Sequence, residues 1–407
     1  MRLTMREKKS VTRVIASRYR NSNKKEKGKI LEEFLELTGY TRSYASYLLG
    51  SHGKKLRITS NVVIVGDVRK KTKRNRDKIY DSRVLDALKK IWFIMDCICG
   101  KRLAPMLGEL IGVLERFGEI EFESEVREKL LNISPATIDR LLVEERKKQT
   151  LVSRSKTKPG TLLRHKIPIR MFSQWDDKRA GFVEMDLVGH EGGDSFGDYI
   201  QTLDITDVCT GWTETQAVRN RAQVWVFEAL KQIRERLPFK LLGIDSDNGG
   251  EFINDQLYRY CQSEQITFTR GRPYRKNDSC YVEQKNYSVV RRAVGYLRYD
   301  TVEQLEIINE LYGYLRLYTN YFQPVMKLIE KTRIGSRVRK KHDKPKTPYQ
   351  RVLESLNVEE KKKKVLRSEY AKLNPAELKR QITRLQTKLR KLALKYRIVQ
   401  KQTAQSV

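Results

Sequence analysis

The sequence predicts a multidomain protein with N-terminal all-α units of the helix-turn-helix type, a central α/β catalytic core and a C-terminal region that is mainly helical. Capping residues and helical spacing of apolar side chains characterise both ends of the chain. The middle instead alternates short apolar runs, typical of buried strands, with helical segments. The length of 407 residues allows two to four domains, and 39% apolar residues suffice for their cores.

Charge is distributed unevenly along the chain. Lys and Arg total 83 against 50 Asp and Glu, which gives a formal net charge of +33. Residues 1–80 hold 22 basic and 7 acidic side chains, whereas residues 181–260 hold 7 basic and 14 acidic ones. Basic arms around an acidic centre are typical of a protein that grips a phosphate polymer near a metal site. The alternative is a generally basic chain that binds RNA without specificity.

The first region, residues 1–80, contains a predicted helix-turn-helix at 25–49. Its first helix carries an apolar stripe that ends at Gly39, and Thr41 is placed to cap the second helix. The stripe comprises Ile30, Leu31, Phe34, Leu35 and Leu37, and the second helix carries Tyr44, Tyr47 and Leu48. Basic clusters at 54–57 and 69–78 follow, and we expect them to form a linker along phosphates.

The sequence predicts a second helical domain at residues 81–150, with its own helix-turn-helix. Ser134 supplies a capping hydroxyl before Pro135, which suits the first helical position. Arg140 would lie on the exposed face of the recognition helix with Ala136, Thr137 and Asp139, while Ile138, Leu141 and Leu142 would pack inward. We expect at least one of the two units to read DNA. The alternative is a small helical bundle that only packs against the core.

A basic linker at 151–173 leads into the predicted α/β catalytic domain at 174–325. Three strands joined by tight turns come first, and a helix, a strand, a helix, a strand and a final helix follow. The predicted strands are 182–188, 199–205, 213–218, 241–245 and 266–269, and the first of the predicted helices is 224–236.

The C-terminal part is predicted to be a basic linker at 326–346 and a helical region at 347–407. Asn374 and Pro375 form a strong helix start, with a capping side chain and a first-turn proline. Apolar residues follow at steps of three and four: Leu378, Ile382, Leu385, Leu389, Leu392 and Tyr396. This stripe suits either a dimer seam or a helix packed on its own chain.

Three carboxylates carry the strongest chemical signal. Asp247 stands in a turn-forming Asp-Asn-Gly-Gly segment after an apolar run, and Glu283 follows after 35 intervening residues. Asp186 lies in the middle of the first predicted strand. Three such acids can hold paired divalent metals, which cut and join phosphodiesters. Asp245 and Glu184 are rivals because each shares a strand face with one of these acids. Turn or solvent positions are expected for the other acids nearby, Asp194, Asp198, Asp204 and Asp207.

This pattern resembles the DDE transposase and retroviral-integrase superfamily, over roughly residues 174–321, with less specific similarity to bacterial insertion-sequence transposases. The resemblance implies an RNase H-like core in which Asp186, Asp247 and Glu283 are both catalytic and metal-binding. It implies that Asp186 bridges two metals, while Asp247 and Glu283 each complete one side. Oxygen ligands suit Mg²⁺, two ions per active site, with Mn²⁺ as a substitute.

Basic residues near the acids are candidate DNA contacts. A polar loop just before Glu283 carries Arg272, Tyr274, Arg275 and Lys276, which together could hold a DNA end and stack an unpaired base. Lys285, Arg291 and Arg292 lie on the predicted helix of Glu283 and could reach phosphates. The alternative for each of these residues is solvated surface charge.

The sequence thus predicts a bacterial-type DNA transposase that binds the inverted-repeat ends of its element, cleaves them and joins the 3′ ends to target DNA. Two ends require a homodimer or a higher oligomer on DNA. A cytoplasmic, nucleoid-associated protein is expected, because no signal peptide is visible. The alternatives are a catalytically inactive DNA-binding protein of the same fold and a nuclease that cuts without joining.

Overall fold

The computed structural model describes residues 3–59, 62–65, 79–148, 179–247, 249–271, 280–335 and 337–405. The chain divides into two compact units, Met1–Ile79 and Tyr80–Val407, which are considered separately below. Three predicted features lie outside the described residues. They are the basic cluster at 69–78, the basic linker at 151–173 and the loop with Arg272, Tyr274, Arg275 and Lys276.

The first unit is built on α1 (Met5–Asn21), α2 (Lys24–Thr38) and α3 (Arg42–Ser51). The side chain of Asn23 caps α2, and α2 ends at Gly39, whose φ of 63° is a left-handed conformation that glycine adopts without strain. The core of this unit consists of Ile15, Ala16, Ile30, Leu31, Phe34, Ala45 and Leu49. The N-terminal helical region is therefore confirmed, although Leu37 of the predicted stripe is 54% exposed.

An antiparallel hairpin follows α3 in the first unit. It pairs β1 (Lys55–Thr59) with β2 (Val62–Val65). The sequence predicted a linker here, because the basic residues of the segment suppressed its strand signal. Thr41 also departs from expectation: it occupies the capping position of α3, but its side chain makes no capping hydrogen bond.

The second unit opens with a helical region. Its helices are α4 (Ser82–Ile94), α5 (Gly100–Leu103), α6 (Leu107–Arg116), α7 (Ser124–Leu131), α8 (Pro135–Leu141) and α9 (Val143–Lys147), with a 3-10 turn at Ala104–Met106. Ser134 caps α8 by accepting the Thr137 N–H, as its sequence position predicts. Ile138 and Leu142 are fully buried. Asp139 does not face outward, because it accepts the Gly100 N–H at 2.8 Å and pairs with Arg146.

A mixed sheet forms the centre of the second unit. Its strands are β3 (Phe182–Gly189), β4 (Gln201–Asp207), β5 (Thr213–Val218), β6 (Gly243–Ser246) and β7 (Thr267–Arg270). The spatial order is β5-β4-β3-β6-β7, in which β3, β4 and β5 are antiparallel and β6 and β7 run parallel to β3. A meander followed by parallel crossover strands is the RNase H-like order, so the predicted fold class is confirmed.

Helices cover both faces of this sheet. They are α10 (Gln223–Arg236), α11 (Asp255–Ser263), α12 (Cys280–Lys285), α13 (Arg292–Val294) and α14 (Val302–Phe322). A π-helical segment, Asn286–Arg291, joins α12 to α13. Every residue of β4 is buried, which fits a central strand covered on both sides even though it carries threonines and two aspartates.

The C-terminal part contains a second hairpin and a helical region. The segment predicted as a basic linker forms an antiparallel pair, β8 (Leu328–Ile334) and β9 (Arg337–His342). Three helices follow it along the chain: α15 (Pro348–Glu354), α16 (Glu360–Lys372) and α17 (Pro375–Gln405).

The α17 stripe packs on its own chain. Leu378, Ile382, Leu385 and Leu389 are buried in a hydrophobic core that also contains residues of the α4–α9 region and of the sheet. Of the two alternatives that the sequence left open, this is the one that the described residues show. None of the helices among the described residues is both long and apolar enough to span a membrane.

A buried carboxylate fastens α14 to the sheet. Glu214 on β5 is fully buried and accepts hydrogen bonds from Arg316 at 2.9 and 3.1 Å and from the Trp212 indole at 2.9 Å. Arg236 of α10 lies 3.4 Å from the same carboxylate. The group therefore ties two helices to β5.

We expect Glu214→Ala to destabilise the second unit by about 3–5 kcal/mol, because it leaves two partly buried guanidinium groups without their anion. Urea denaturation of the full chain measures this change. The matched control is Glu228→Ala, which removes an exposed pairing with Lys231 and should cost no more than about 0.5 kcal/mol. Equal effects of the two substitutions would contradict the structural role given to Glu214.

Candidate active site

The acids predicted to be catalytic lie at the centre of the sheet. Asp186 is on β3, Asp247 directly follows β6, and Glu283 is on α12. Strands β3 and β6 are parallel neighbours with Met185 opposite Ser246, so the next position along each strand sets Asp186 beside Asp247. The carboxyl end of a parallel strand pair is where an α/β sheet usually binds its ligand.

The charges of Asp247 and Glu283 both act on Asp186. Burial, with smaller contributions from the charges of Asp247 and Glu283, raises the pKa of Asp186 to about 7. Desolvation also raises the pKa of Asp247, although the Gly249 N–H opposes this by donating to its carboxylate at 2.8 Å. Because ionised acids repel one another at this range, the arrangement favours a bound cation or proton.

Asn286 holds Asp186 in place. Its side-chain amide donates to one carboxylate oxygen of Asp186 at 2.6 Å, and the Leu187 N–H donates to the other oxygen at 2.8 Å. Asn286 lies three residues after Glu283, one turn further along the chain, and its side chain faces the sheet. The sequence did not single out Asn286, although its position one helical turn after Glu283 was a signal that could have identified it.

Glu184 anchors the helix that carries Glu283. It is fully buried, and one of its oxygens accepts the Tyr281 N–H at 2.7 Å and the Val282 N–H at 2.9 Å. These are first-turn N–H groups of α12, which have no partner within the helix. Burial raises the pKa of Glu184 to about 8. The sequence proposed Glu184 as a rival metal ligand, but its carboxylate is used to position α12.

Two further acids lie on the same face of the sheet. Asp245, the other rival, is buried on β6 opposite Glu184 and accepts a hydrogen bond from the Thr269 hydroxyl at 2.5 Å. Asp204 is fully buried on β4 directly opposite Asp186, and burial raises its pKa well above the ordinary value. The prediction of a turn or solvent position for Asp204 is therefore wrong. The sequence of β4 alone does not reveal which neighbouring element covers Asp204.

Asp207 lies at the turn between β4 and β5, as predicted, and is buried there. It accepts the Gly181 N–H at 2.7 Å and both the N–H and the hydroxyl of Thr210, at 2.6 and 2.7 Å. Asp207 therefore closes the turn between β4 and β5 from the inside.

Glu251 is a further acid near Asp247 that sequence reasoning did not single out. Desolvation is the main cause of its raised pKa, the charge of Asp247 adds to it, and Arg221 opposes it. Glu251 and Asp247 are thus electrostatic neighbours at the mouth of the site.

The predicted DNA contacts occupy different environments. Arg140 is exposed on α8 and donates to Thr137. Arg291 is half-buried, donates to the carbonyl of Gly189 at 2.8 Å and lies over the ring of Tyr296. Arg292 is exposed and pairs with Asp96 at 2.6 Å. Lys285 is only 7% exposed, and burial lowers its pKa to about 8.

The residues present fit a magnesium site. Among the described residues, no group of three or more His, Cys, Asp or Glu side chains stands ready to enclose a metal ion. Mg²⁺ does not need such a cage, because it takes one or two carboxylates and completes its shell with water and substrate phosphate. Asp186 and Asp247 provide such a pair, and the charge of Glu283 acts on Asp186. The Oδ1 atom of Asn286 is in addition a buried acceptor that has no partner among the described residues.

The chain is similar to a curated protein over most of its length and to solved structures over part of its length. No protein-family model matches the chain. Uncharacterized protein y4rM of Sinorhizobium fredii (strain NBRC 101917 / NGR234) is 39% identical over 350 residues, which is 86% of this chain and 96% of the relative. The chain belongs to the y4rM family.

Two solved structures are similar to part of this y4rM-family chain. The catalytic core domain of BIV integrase in crystal form I has a TM-score of 0.30 and 20% identity, and the match covers 43% of this chain and 95% of that one. The HTLV-2 integrase catalytic core domain in complex with magnesium (dimeric form) has a TM-score of 0.28 and 15% identity, with 36% and 91% covered. The strand order, independently of these values, gives the core its RNase H-like fold, as the resemblance to integrases implied.

We expect Asn286→Ala to weaken Mn²⁺ binding by about 10–100-fold, because the substitution releases the carboxylate that the two predicted metal positions share. Isothermal titration of the full chain with Mn²⁺ measures this affinity. Asn132→Ala is the control, since Asn132 is exposed on the helical region and donates only to the carbonyl of Glu128. Unchanged Mn²⁺ affinity in Asn286→Ala would show that Asn286 does not support a metal ligand.

Proposed function

We propose that this chain is a DNA transposase that binds the inverted-repeat ends of its element, cleaves them and joins the 3′ ends to target DNA. The observation that carries the proposal is that Asp186 and Asp247 are neighbours at the carboxyl end of β3 and β6, with Glu283 near enough for its charge to act on Asp186. The RNase H-like strand order around them supports the same conclusion. The similarity to y4rM, an uncharacterized protein, does not indicate a particular activity.

Each residue of the site has a proposed role. Asp186 would be shared by two Mg²⁺ ions, with Asp247 and Glu283 each completing one ion, and Mn²⁺ could substitute. Asn286 orients Asp186, and Glu184 fixes the start of α12, the helix that carries Glu283. When bound, the paired ions supply an activated water or 3′ hydroxyl and stabilise the leaving oxygen of the phosphodiester.

Several exposed groups support DNA as the substrate. Helix α3 presents Tyr44 and Tyr47, which are 48% and 66% exposed, on a helix placed like the recognition element of a helix-turn-helix. Arg140 is exposed on the corresponding short helix of the second unit. We propose that these helices bind the element ends, and that two chains assemble on DNA as a homodimer or a higher oligomer.

The β8–β9 hairpin is a strongly basic and exposed element of the second unit. Every residue of β8 is exposed, and β9 carries Arg337, Arg339, Lys340, Lys341 and His342. A two-stranded ribbon with no buried face is weakly stable by itself, and the major groove of DNA is wide enough to admit one.

The register of this hairpin places like charges opposite each other. Lys331 is paired with Lys340, and both side chains are exposed. Like charges directly across an antiparallel pair are destabilising. Phosphates bound along the ribbon would relieve this repulsion, which supports the hairpin as a DNA contact.

We expect Asp247→Asn to abolish joining of a labelled element end to a target plasmid while leaving binding of that end unchanged. The amide keeps the size of the side chain but removes the anion that would hold one metal. A strand-transfer assay with and without Mg²⁺, alongside a gel-shift assay of the end, measures both activities.

Three other results of this assay would be informative. Joining by Asp247→Asn at the wild-type level would rule out the proposed triad. Metal-dependent cutting without any joining by the wild type would indicate a nuclease. Binding of a verified end without cutting, in both Mg²⁺ and Mn²⁺, would indicate an inactive DNA-binding protein.

We expect Lys331→Glu to weaken DNA binding several-fold and to reduce the slope of log affinity against log salt by about one or more, because phosphate contacts are lost. The same change replaces a repulsive pair with Lys340 by an attractive one, so the melting temperature should not fall. Fluorescence anisotropy over a salt series measures the slope. Lys362→Glu on the exposed face of α16 is the control, since it changes the net charge equally. Identical effects of the two variants would show that the hairpin is not part of the DNA interface.

A further inference from the structure

A cavity of about 330 Å³ lies in the second unit beside α12. It is bounded by α12 and the π-helical segment, by α14 and α17, and by the end of β9. Its charged and titratable lining residues are Asp96, Arg102, Lys285, Arg292, His342 and Lys379. The volume holds about ten water molecules, so it admits one or two phosphate groups with some of their hydration.

Lys285 is the least exposed of these cations. Its side chain lines the cavity, yet the residue is only 7% exposed, and no hydrogen bond or ion pair joins its amine to a described residue. Asp204 is near enough to interact with its charge, but it does not bond to it. The Lys285 ammonium group has no bonded partner among the described residues and borders the cavity, so its placement at the cavity wall points to an anionic or strongly polar occupant.

The other cations leave the cavity with excess positive charge. Asp96 pairs with both Arg292, at 2.6 Å, and Lys379, at 2.7 Å. Arg102 donates to the carbonyl of Pro324 at 2.5 Å and to Gln323 at 3.5 Å, and its second terminal nitrogen makes no bond with a described residue. Four cations therefore line the cavity against the one carboxylate of Asp96.

We propose that this cavity is a phosphate-binding site in which Lys285 and Arg102 hold the oxyanion. A guanidinium fork and a lysine ammonium are the side chains that proteins use most for phosphate oxygens. The site is distinct from Glu283, because Lys285 follows Glu283 by two residues and so projects about 200° around the helix from it. It does not rest on the proposed transposase activity.

The phosphate has two possible sources with the same chemistry. One is the backbone of bound DNA, since Lys379 also borders an open groove along α17 with Arg380, Arg384, Lys388 and Lys391. That groove would extend the positive surface outward from the cavity. The other is a free polyphosphate in solution.

Isothermal titration of the full chain with pyrophosphate, in EDTA and at physiological salt, tests the site. We expect saturable binding with one site per chain, weakened about tenfold or more in both Lys285→Met and Arg102→Gln. Lys362→Met, on the exposed face of α16, should bind as the wild type does. Circular dichroism establishes that each variant is folded, and Lys285→Arg should retain most of the affinity because it keeps the charge.

Competition identifies the source of the phosphate. If a duplex carrying the element end displaces pyrophosphate from the wild type, the site takes a DNA phosphate. If duplex and pyrophosphate bind independently, the site takes a free polyphosphate. The proposal is overturned if the wild type shows no saturable pyrophosphate binding, or if folded Lys285→Met and Arg102→Gln bind it with unchanged affinity. Loss of strand transfer in Asp247→Asn has no bearing on these outcomes.

Discussion

The structure depends on how the carboxylates on one face of the central sheet are stabilised. Strands β3, β6 and β4 bring five carboxylates to this face: Glu184, Asp186, Asp204, Asp245 and Asp247. A desolvated carboxylate costs several kcal/mol unless donors or a counter-charge compensate it. The chain supplies donors to four of them, from backbone N–H groups, the Thr269 hydroxyl and the Asn286 amide. The remaining repulsion centres on Asp186, which is where divalent cations would be most stabilising.

Glu184 links this acidic face to the helix that completes it. Its carboxylate binds the first N–H groups of α12, where the partial positive charge of a helix favours an anion. This contact fixes where α12 begins, and the position of the first residue determines the direction of every later side chain on the helix. Asn286 then faces the sheet and donates to Asp186. The following π-helical segment changes the spacing, so that Arg291 reaches the carbonyl of Gly189 near the end of β3.

Sequence reasoning recovered what is encoded locally. The alternation of apolar runs predicted the five strands in their order, the turn chemistry placed Asp247 at a strand end, and the Ser134-Pro135 pair predicted the start of α8. It failed where a property depends on a neighbour distant in sequence. Asp204 resembles a solvent residue until β3 and α12 cover it, and the linker-like composition of 326–346 hides a hairpin whose strands are stabilised only by pairing with each other. The burial of Lys285 was unpredictable for the same reason, since helical spacing gives the direction of its side chain but not the elements that enclose it.

Helix α12 therefore serves two opposite environments. One side presents Glu283 to an acidic face that attracts cations, and the other presents Lys285 to a cavity that attracts anions. A DNA strand bound to both would meet metal ions at its reacting phosphate and fixed cations at another phosphate along its backbone. Two such contacts restrict rotation of the strand more than either contact alone, because the second is made within an already bound molecule. Orientation of the reacting phosphodiester is one of the largest contributions an active site makes, and a helix that is anchored at Glu184 can hold both contacts in a fixed relation.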